Sequence, residues 1–307
     1  MDISVVIPVK NESKSVVPLY EELHNILTKI KKKYEIIFID DGSTDDTFVE
    51  LEKLHKKNEN VKVIQFKQNY GKSDALMAGF SYAEGDFVIT MDGDMQDDPS
   101  EIPRMLDKIK RGYDLIVGWK FTRNDPITKR LPSKIFNKLT ALLTGIKIHD
   151  SNCGFKIFRR EVIKNLNIYG ELHRYIPALV HWKGYKVDEI KVNHRPRKFG
   201  KSKYGVTRLI KGFLDLITVK FLTKFAKRPF HLFGTIGFAL STIGFFIGLY
   251  MTYLWSKGVV IWNRPLLIFG VLLMVIGIQF ISIGLLGELI ISNRKQDDIE
   301  KNIKKKL

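Results

Sequence analysis

A chain of 307 residues with a net charge of +17 has room for a catalytic domain and an appended segment, and it calls for a polyanionic partner: nucleic acid, anionic lipid or a phosphorylated substrate. Its single cysteine, Cys153, excludes an intrachain disulfide and a cysteine-based metal cluster. The apolar stretch at the amino terminus is broken at Lys10 and Glu12, too short for a signal-peptide core, so the domain behind it is expected in the cytosol.

From Asp2 to about Gly118, short apolar runs alternate with amphipathic segments. Ile3–Val9, Glu35–Ile39, Val61–Phe66, Phe87–Met91 and Leu115–Val117 are Val- and Ile-rich and predict buried strands. The intervening Ser15–Lys31, Asp45–Lys57, Lys72–Ala83 and Glu101–Lys110 predict helices, with Pro99 as a first-turn proline before the last. This alternation predicts an α/β domain with a mostly parallel sheet flanked by helices. Trp119 to Lys203 is irregular and richer in basic and aromatic residues, and is expected to complete the same domain.

Phe230–Trp255 and Pro265–Gly287 contain no Asp, Glu, Lys or Arg, and each exceeds the roughly 20 apolar residues that cross a bilayer core. Twelve Lys and Arg residues against Asp215 alone precede the first span between Lys191 and Arg228, and the tail ends Lys304-Lys305-Lys306. The connector carries only Lys257 and Arg264, so the positive-inside rule puts both termini and the catalytic domain in the cytosol. Val206, Leu209, Ile210, Phe213, Leu214, Ile217, Phe221 and Phe225 recur at helical spacing among basic residues, which predicts an interfacial helix on anionic membrane lipids. The expected organisation is a cytosolic catalytic domain over residues 1–205, juxtamembrane amphipathic helices over 206–228, two transmembrane helices over 229–291 and a basic tail over 292–307.

The chemistry concentrates at strand ends. Asp92-Gly93-Asp94-Met95-Gln96 follows the fourth strand, and two carboxylates spaced this way can hold a hard divalent cation that bridges to substrate phosphates. Pro8-Val9-Lys10-Asn11-Glu12 and Asp40-Asp41-Gly42-Ser43 end the first two strands, where Glu12 or Asp40 can accept hydrogen bonds from the ribose and base of a nucleotide. Ser43 and Asp45 are expected to serve the turn and the helix cap. Gly-x-Gly-x-x-Gly and Walker-type loops are missing, which argues against dinucleotide binding and ATP hydrolysis.

Four segments occur in one order: Ile7-Pro8-Val9-x-Asn11-Glu12, Asp40-Asp41-Gly42-Ser43, Asn69-x-Gly71-Lys72 with Ala78-Gly79, and Asp92-x-Asp94-x-Gln96. Together they resemble the inverting family-2 glycosyltransferases of GT-A fold. With Gln96 and two C-terminal spans the chain is similar to the polyprenyl-phosphate glycosyltransferases, a group that includes dolichol-phosphate mannose synthase, bactoprenol glucosyltransferases and the undecaprenyl-phosphate aminoarabinose transferase. The resemblance implies a UDP- or GDP-linked sugar donor held by Pro8, Val9, Asn11, Glu12, Asp40, Lys72, Asp92, Gly93, Asp94, Arg197 and Lys203. It implies Mg²⁺ or Mn²⁺ on Asp92 and Asp94 with Gln96, and a catalytic set of Asp92, Asp94 and Asp150.

A basic, hydroxyl-bearing loop of Lys120, Arg123, Arg130 and Ser133, with Arg197, is implied for the lipid phosphate; Lys120 stands where the family pattern has Arg. His149-Asp150-Ser151-Asn152-Cys153-Gly154-Phe155 resembles the segment whose Asp lies near the reacting sugar, with His173 and Arg174 as candidate lining. Arg197-x-x-Gly200-x-Ser202-Lys203-Tyr204 resembles the juxtamembrane signature. The implied partners are a nucleotide-sugar, a polyprenyl phosphate, membrane lipids and further copies of the chain, and no nucleic acid. A processive polysaccharide synthase of the same fold would add a Gln-x-x-Arg-Trp segment and more spans, and a non-catalytic lipid-binding scaffold would not need carboxylates at several strand ends.

Overall fold

The first strand, β1 (Ile3–Val9), carries five Val and Ile residues in seven, a composition that fits the middle of a sheet covered on both faces. It pairs in parallel with β2 (Tyr34–Asp40) on one side and β4 (Phe87–Thr90) on the other, and β3 (Val61–Gln65) continues outward from β2. The computed structural model describes residues 1–121, 145–146, 148–196, 218–219, 221, 225, 228–260 and 264–292. The first crossover helix, α1 (Val16–Ile30), buries Val16, Leu19, Tyr20, Leu23 and Leu27, one stripe at three- and four-residue spacing. It stops at Lys31, whose left-handed backbone lets its N–H bond the Thr28 carbonyl. Two more crossovers, α2 (Thr47–Lys57) and α3 (Lys72–Tyr82), complete the first half. Pro99 opens a 3₁₀ turn over Pro99–Glu101, capped by the Asp98 side chain on the Ser100 N–H, and α4 (Ile102–Ile109) follows.

The stretch expected to be irregular is built into the same sheet. β5 (Leu115–Lys120) runs three residues past the predicted end because Gly118, Trp119 and Lys120 pair in parallel with β7 (Val187–Val192). Between them lie β6 (Lys156–Arg159), α5 (Arg160–Lys164), a 3₁₀ turn over Leu172–Tyr175 and α6 (Ile176–Trp182). The strand order is β3-β2-β1-β4-β6-β5-β7, with β6 antiparallel to both neighbours. This reversal has a consequence for the site. The parallel strands all end on one edge of the sheet, and β6, running the other way, begins there, with Lys156 opposite Thr90. The segment that carries Asp150 therefore enters at the edge where Asp92 leaves.

A second unit holds two helices long and apolar enough to cross a membrane, α7 (Pro229–Ser256), with a mean hydropathy of 1.9, and α8 (Pro265–Ser292), with 2.7 over Pro265–Ile290. They meet along glycines. A β-carbon on Gly237 would fall 2.5 Å from the Gly277 carbonyl oxygen, and one on Gly244 would fall 2.5 Å from that of Gly270. Glu288 reaches the start of the opposite helix, where its carboxylate accepts the Phe230 N–H at 3.4 Å and complements the positive helix end. Gly277→Leu should force the pair apart and lower the detergent-solubilised chain's thermal stability by about 1–3 kcal/mol. An unchanged melting profile for this unit would contradict the close packing.

Candidate functional site

The loop after β1 is stitched to the loop after β2. Asn11 takes a left-handed backbone (φ 55°), donates its N–H to Ser43 Oγ at 2.9 Å, and accepts the Thr44 N–H on its side-chain oxygen at 2.8 Å. Glu12 donates its N–H to Thr47 Oγ1 at 2.8 Å and accepts from the Ser15 hydroxyl at 2.8 Å. Asp45 accepts from the Thr47 N–H at 3.1 Å, so Ser43 and Asp45 serve the turn and helix start as their positions suggested. Asp40 is fully buried: its carboxylate accepts the Ser43 N–H at 3.0 Å and the Gln65 side-chain amide at 3.4 Å. Asp41 accepts the N–H groups of Tyr70 at 2.7 Å and Gly71 at 3.0 Å, and thereby fixes the turn that presents Lys72.

Lys72 makes an ion pair with Asp92 at the exit of β4. Burial raises the Asp92 pKa, but Lys72, Lys120 and Lys156 around it outweigh that effect and hold the carboxylate well below its ordinary range. The neighbouring loop is tightly made. Gly93 lies against Val9, where a β-carbon would come within 2.6 Å of Val9 Cγ1. Asp94 is buried and accepts the Gln96 N–H at 3.2 Å, and Met95 between them takes a left-handed backbone (φ 61°) that a non-glycine residue adopts only when its surroundings enforce it. The Gln96 amide nitrogen points to the exit of β7, 3.4 Å from His194 Nε2 and 3.5 Å from the Arg195 carbonyl oxygen.

Asp150, only 2 % exposed, begins a turn closed by the Cys153 N–H on its carbonyl at 3.3 Å. Thr90 donates its hydroxyl to the Gly154 carbonyl at 2.7 Å, and Lys156 donates to that of Cys153, so β4 and β6 both anchor the turn. Gly154 abuts the Asp92 carboxylate: a β-carbon there would sit 2.5 Å from Asp92 Oδ1. Burial lowers the Lys156 pKa to about 8, with Cys153, Asp92 and Asp150 opposing it, and burial pushes the Cys153 thiol up to about 12, which removes it as a nucleophile. His173 is held neutral, with burial first and then Lys72 and Arg174 lowering its pKa to about 3, and its Nδ1 lies 3.1 Å from the Ser73 hydroxyl at the start of α3.

Lys120 is placed differently from an open phosphate ligand. Its side chain is 13 % exposed and its ammonium lies 3.2 Å from Oδ1 of Asp97, itself 1 % exposed. Pro8, Val9, Asn11, Glu12, Asp40, Lys72, Asp92, Gly93, Asp94, Gln96, Lys120 and Asp150 are thus all carried by segments at one sheet edge. Arg123, Arg130, Ser133, Arg197 and Lys203 lie outside the described residues, as does most of 206–228. Sequence reading overlooked Asp97, Thr90 and Lys156. The available signals were a third carboxylate in the run Asp92–Asp98 and a lone lysine amid Phe155, Ile157 and Phe158.

Among the described residues no three His, Cys, Asp or Glu side chains form a closed metal cage. The donors at the β4 exit suit a different kind of site. One hard, ionised carboxylate already bears a cationic side chain and a second follows two residues later, which fits Mg²⁺ or Mn²⁺ sharing its remaining positions with water and substrate phosphate.

The family model for glycosyl transferase family 2 matches residues 4–166. The chain is 37 % identical over 258 residues to the dodecaprenyl-phosphate galacturonate synthase of Rhizobium johnstonii, covering 82 % of this chain and 76 % of that one. It is also 37 % identical over 253 residues to the undecaprenyl-phosphate 4-deoxy-4-formamido-L-arabinose transferase of Klebsiella pneumoniae, with the same 82 % and 76 % coverage. Among solved structures, glucosyl-3-phosphoglycerate synthase from Mycobacterium tuberculosis, in complex with Mn²⁺, uridine diphosphate and phosphoglyceric acid, superimposes with a TM-score of 0.57 at 19 % identity, over 72 % of this chain and 78 % of that one. That likeness establishes the GT-A fold.

Proposed function

The chain belongs to glycosyl transferase family 2, and from this membership we propose that it is a membrane enzyme transferring a sugar from a UDP- or GDP-linked donor to a polyprenyl phosphate, with inversion at the anomeric carbon. The observation that carries the reading is the meeting of the Asp92–Asp94 loop with the Asp150 turn, at the edge where the β1 and β2 loops also converge, in a chain whose relatives are named as polyprenyl-phosphate sugar transferases. The nucleotide lies across the ends of β1 and β2, in contact with the Pro8–Glu12 segment, and Lys72 faces the diphosphate. Asp92 and Asp94 would hold Mg²⁺ or Mn²⁺, which would supply positive charge opposite the departing nucleoside diphosphate. Gln96 supports that loop from the β7 side.

An oxygen of the lipid phosphate attacks the anomeric carbon as the bond to the diphosphate oxygen breaks. A phosphate monoester is largely dianionic at neutral pH, its second pKa being about 6, so this nucleophile needs no strong base. Asp150 then stabilises positive charge on the sugar or orients it. Arg123, Arg130, Ser133, Arg197 and Lys203 supply donors for the acceptor and donor phosphates, and Arg197, with its planar fork, is assigned to both. The domain faces the cytosol and the short connector faces outside, a topology supported by the charge asymmetry across the spans. Copies associate through their membrane-proximal segments.

One experiment tests chemistry and orientation together. Radiolabelled nucleotide-sugars are supplied to sealed everted vesicles and to intact spheroplasts expressing the chain, both loaded with a prenyl phosphate. Label should enter lipid only in the everted vesicles, only with a divalent cation, and with one donor strongly preferred. Incorporation in intact spheroplasts would overturn the orientation, and label in polymer instead of lipid would favour a processive synthase.

A further inference from the structure

Asp97 is almost fully buried, yet it lies where three strand exits meet. Its Oδ2 accepts the backbone N–H of Asp92 at 3.2 Å, at the point where β4 gives way to the Asp92–Asp94 loop. Its Oδ1 faces the Lys120 ammonium at 3.2 Å, at the end of β5. The same oxygen lies 4.0 Å from His194 Nδ1, and Asp97 bridges His194 through the backbone while the Arg195 N–H bonds the Gln96 carbonyl at 2.8 Å, just beyond β7. A buried carboxylate is costly unless charge and hydrogen bonds compensate it, and here both are supplied by segments that bound the site.

We propose that Asp97 and Lys120 form a positioning pair that sets the Asp92–Asp94 loop for its cation, with Lys120 acting through Asp97 and not as a ligand of the lipid phosphate. The geometry gives the reason. A single ammonium turned inward to Asp97 cannot also present a bidentate face to an acceptor. The ammonium of Lys120 pairs with Asp97, Asp97 fixes the peptide that carries Asp92, and Lys72 and Gly154 then constrain the Asp92 carboxylate itself. Outer partners of this kind commonly change metal affinity by 10–100-fold when removed. The inference rests on the transferase reading for the identity of the cation, but its main readout, Mn²⁺ binding, needs no substrate.

Full-length protein in detergent is titrated with Mn²⁺ alone, and free Mn²⁺ is followed by electron paramagnetic resonance. Asp97→Asn and Lys120→Met should each weaken Mn²⁺ binding by on the order of 10-fold. The double variant should be little worse than either, because paired residues lose one shared interaction and not two. Lys120→Arg, which keeps the charge, should stay within about twofold of wild type. Thermal unfolding without metal identifies any variant that fails to fold, and the arginine variant supplies the comparison in that event. Folded Asp97→Asn and Lys120→Met with unchanged Mn²⁺ affinity would overturn the proposal. So would a Lys120→Met protein whose sole defect is a raised KM for prenyl phosphate, since that outcome makes Lys120 an acceptor ligand. Wild-type protein that binds Mn²⁺ but transfers no sugar overturns the transferase reading alone, whereas failure to bind Mn²⁺ removes both.

Discussion

Asp94→Asn should reduce sugar transfer by about 10³-fold while leaving the chain folded. The side chain is buried and its Oδ1 accepts the Gln96 N–H at 3.2 Å. Asparagine can retain that acceptor, so the turn through left-handed Met95 keeps its hydrogen bond while the side chain loses its charge. A metal ligand that helps to neutralise a leaving diphosphate contributes several kcal/mol to transition-state stabilisation, and each 1.36 kcal/mol is tenfold in rate. The check is transfer measured across a Mn²⁺ series, with melting temperature recorded alongside. Excess Mn²⁺ should restore only part of the rate, and chelator should silence wild type to the level of the variant. Full activity in either the variant or the chelated wild type would remove the cation from Asp94.

Gly154→Ala should be nearly as damaging, by a steric route that leaves every charge in place. The added β-carbon would lie 2.5 Å from Oδ1 and 2.6 Å from Oδ2 of Asp92, closer than any tolerated contact. The turn cannot easily retreat, because Thr90 and Lys156 hold the Gly154 and Cys153 carbonyls from two neighbouring strands. The Asp92 carboxylate must therefore move, and it moves against its ion pair with Lys72. A displacement of about 1 Å at a reacting centre can cost roughly 100-fold in rate. The expected result is that loss in transfer with a weakened Mn²⁺ affinity and a cooperative unfolding transition. A normal rate would show that Asp92 yields without consequence, and its place at the centre of the site would fall.

The two variants probe parts of the site that differ in how they could be read. Asp94 belongs to a five-residue run directly after a Val- and Ile-rich strand, so both its chemistry and its sheet-edge position follow from local pattern. Gly154 acquires its importance only by lying against Asp92, more than sixty residues earlier in the chain. Lys120 shows the same limit from the other side. The resemblance implied it for the lipid phosphate, and its pairing with the buried carboxylate of Asp97 is visible only in the fold.

The sequence alone determined the elements whose information is local. Five parallel strands and four helices of the first half fall within a few residues of their predicted bounds, because each apolar run or stripe is long enough to fix its own period. Both apolar spans were equally plain, since uninterrupted hydropathy over more than twenty residues needs no partner to be recognised. The tertiary structure decided the rest. Lys156–Arg159 is four residues long and two of them are basic, so no alternation marks it as a strand; burial between β4 and β5 does. Val187–Val192 carries Asp188, Glu189 and Lys191 and becomes the edge strand because β5 offers it hydrogen bonds. These short, charged segments are strands by virtue of non-local pairing, whose free energy comes from residues distant in the chain. That pairing sets the antiparallel entry of β6, brings Asp150 and Gly154 to Asp92, and joins Asp97 to Lys120.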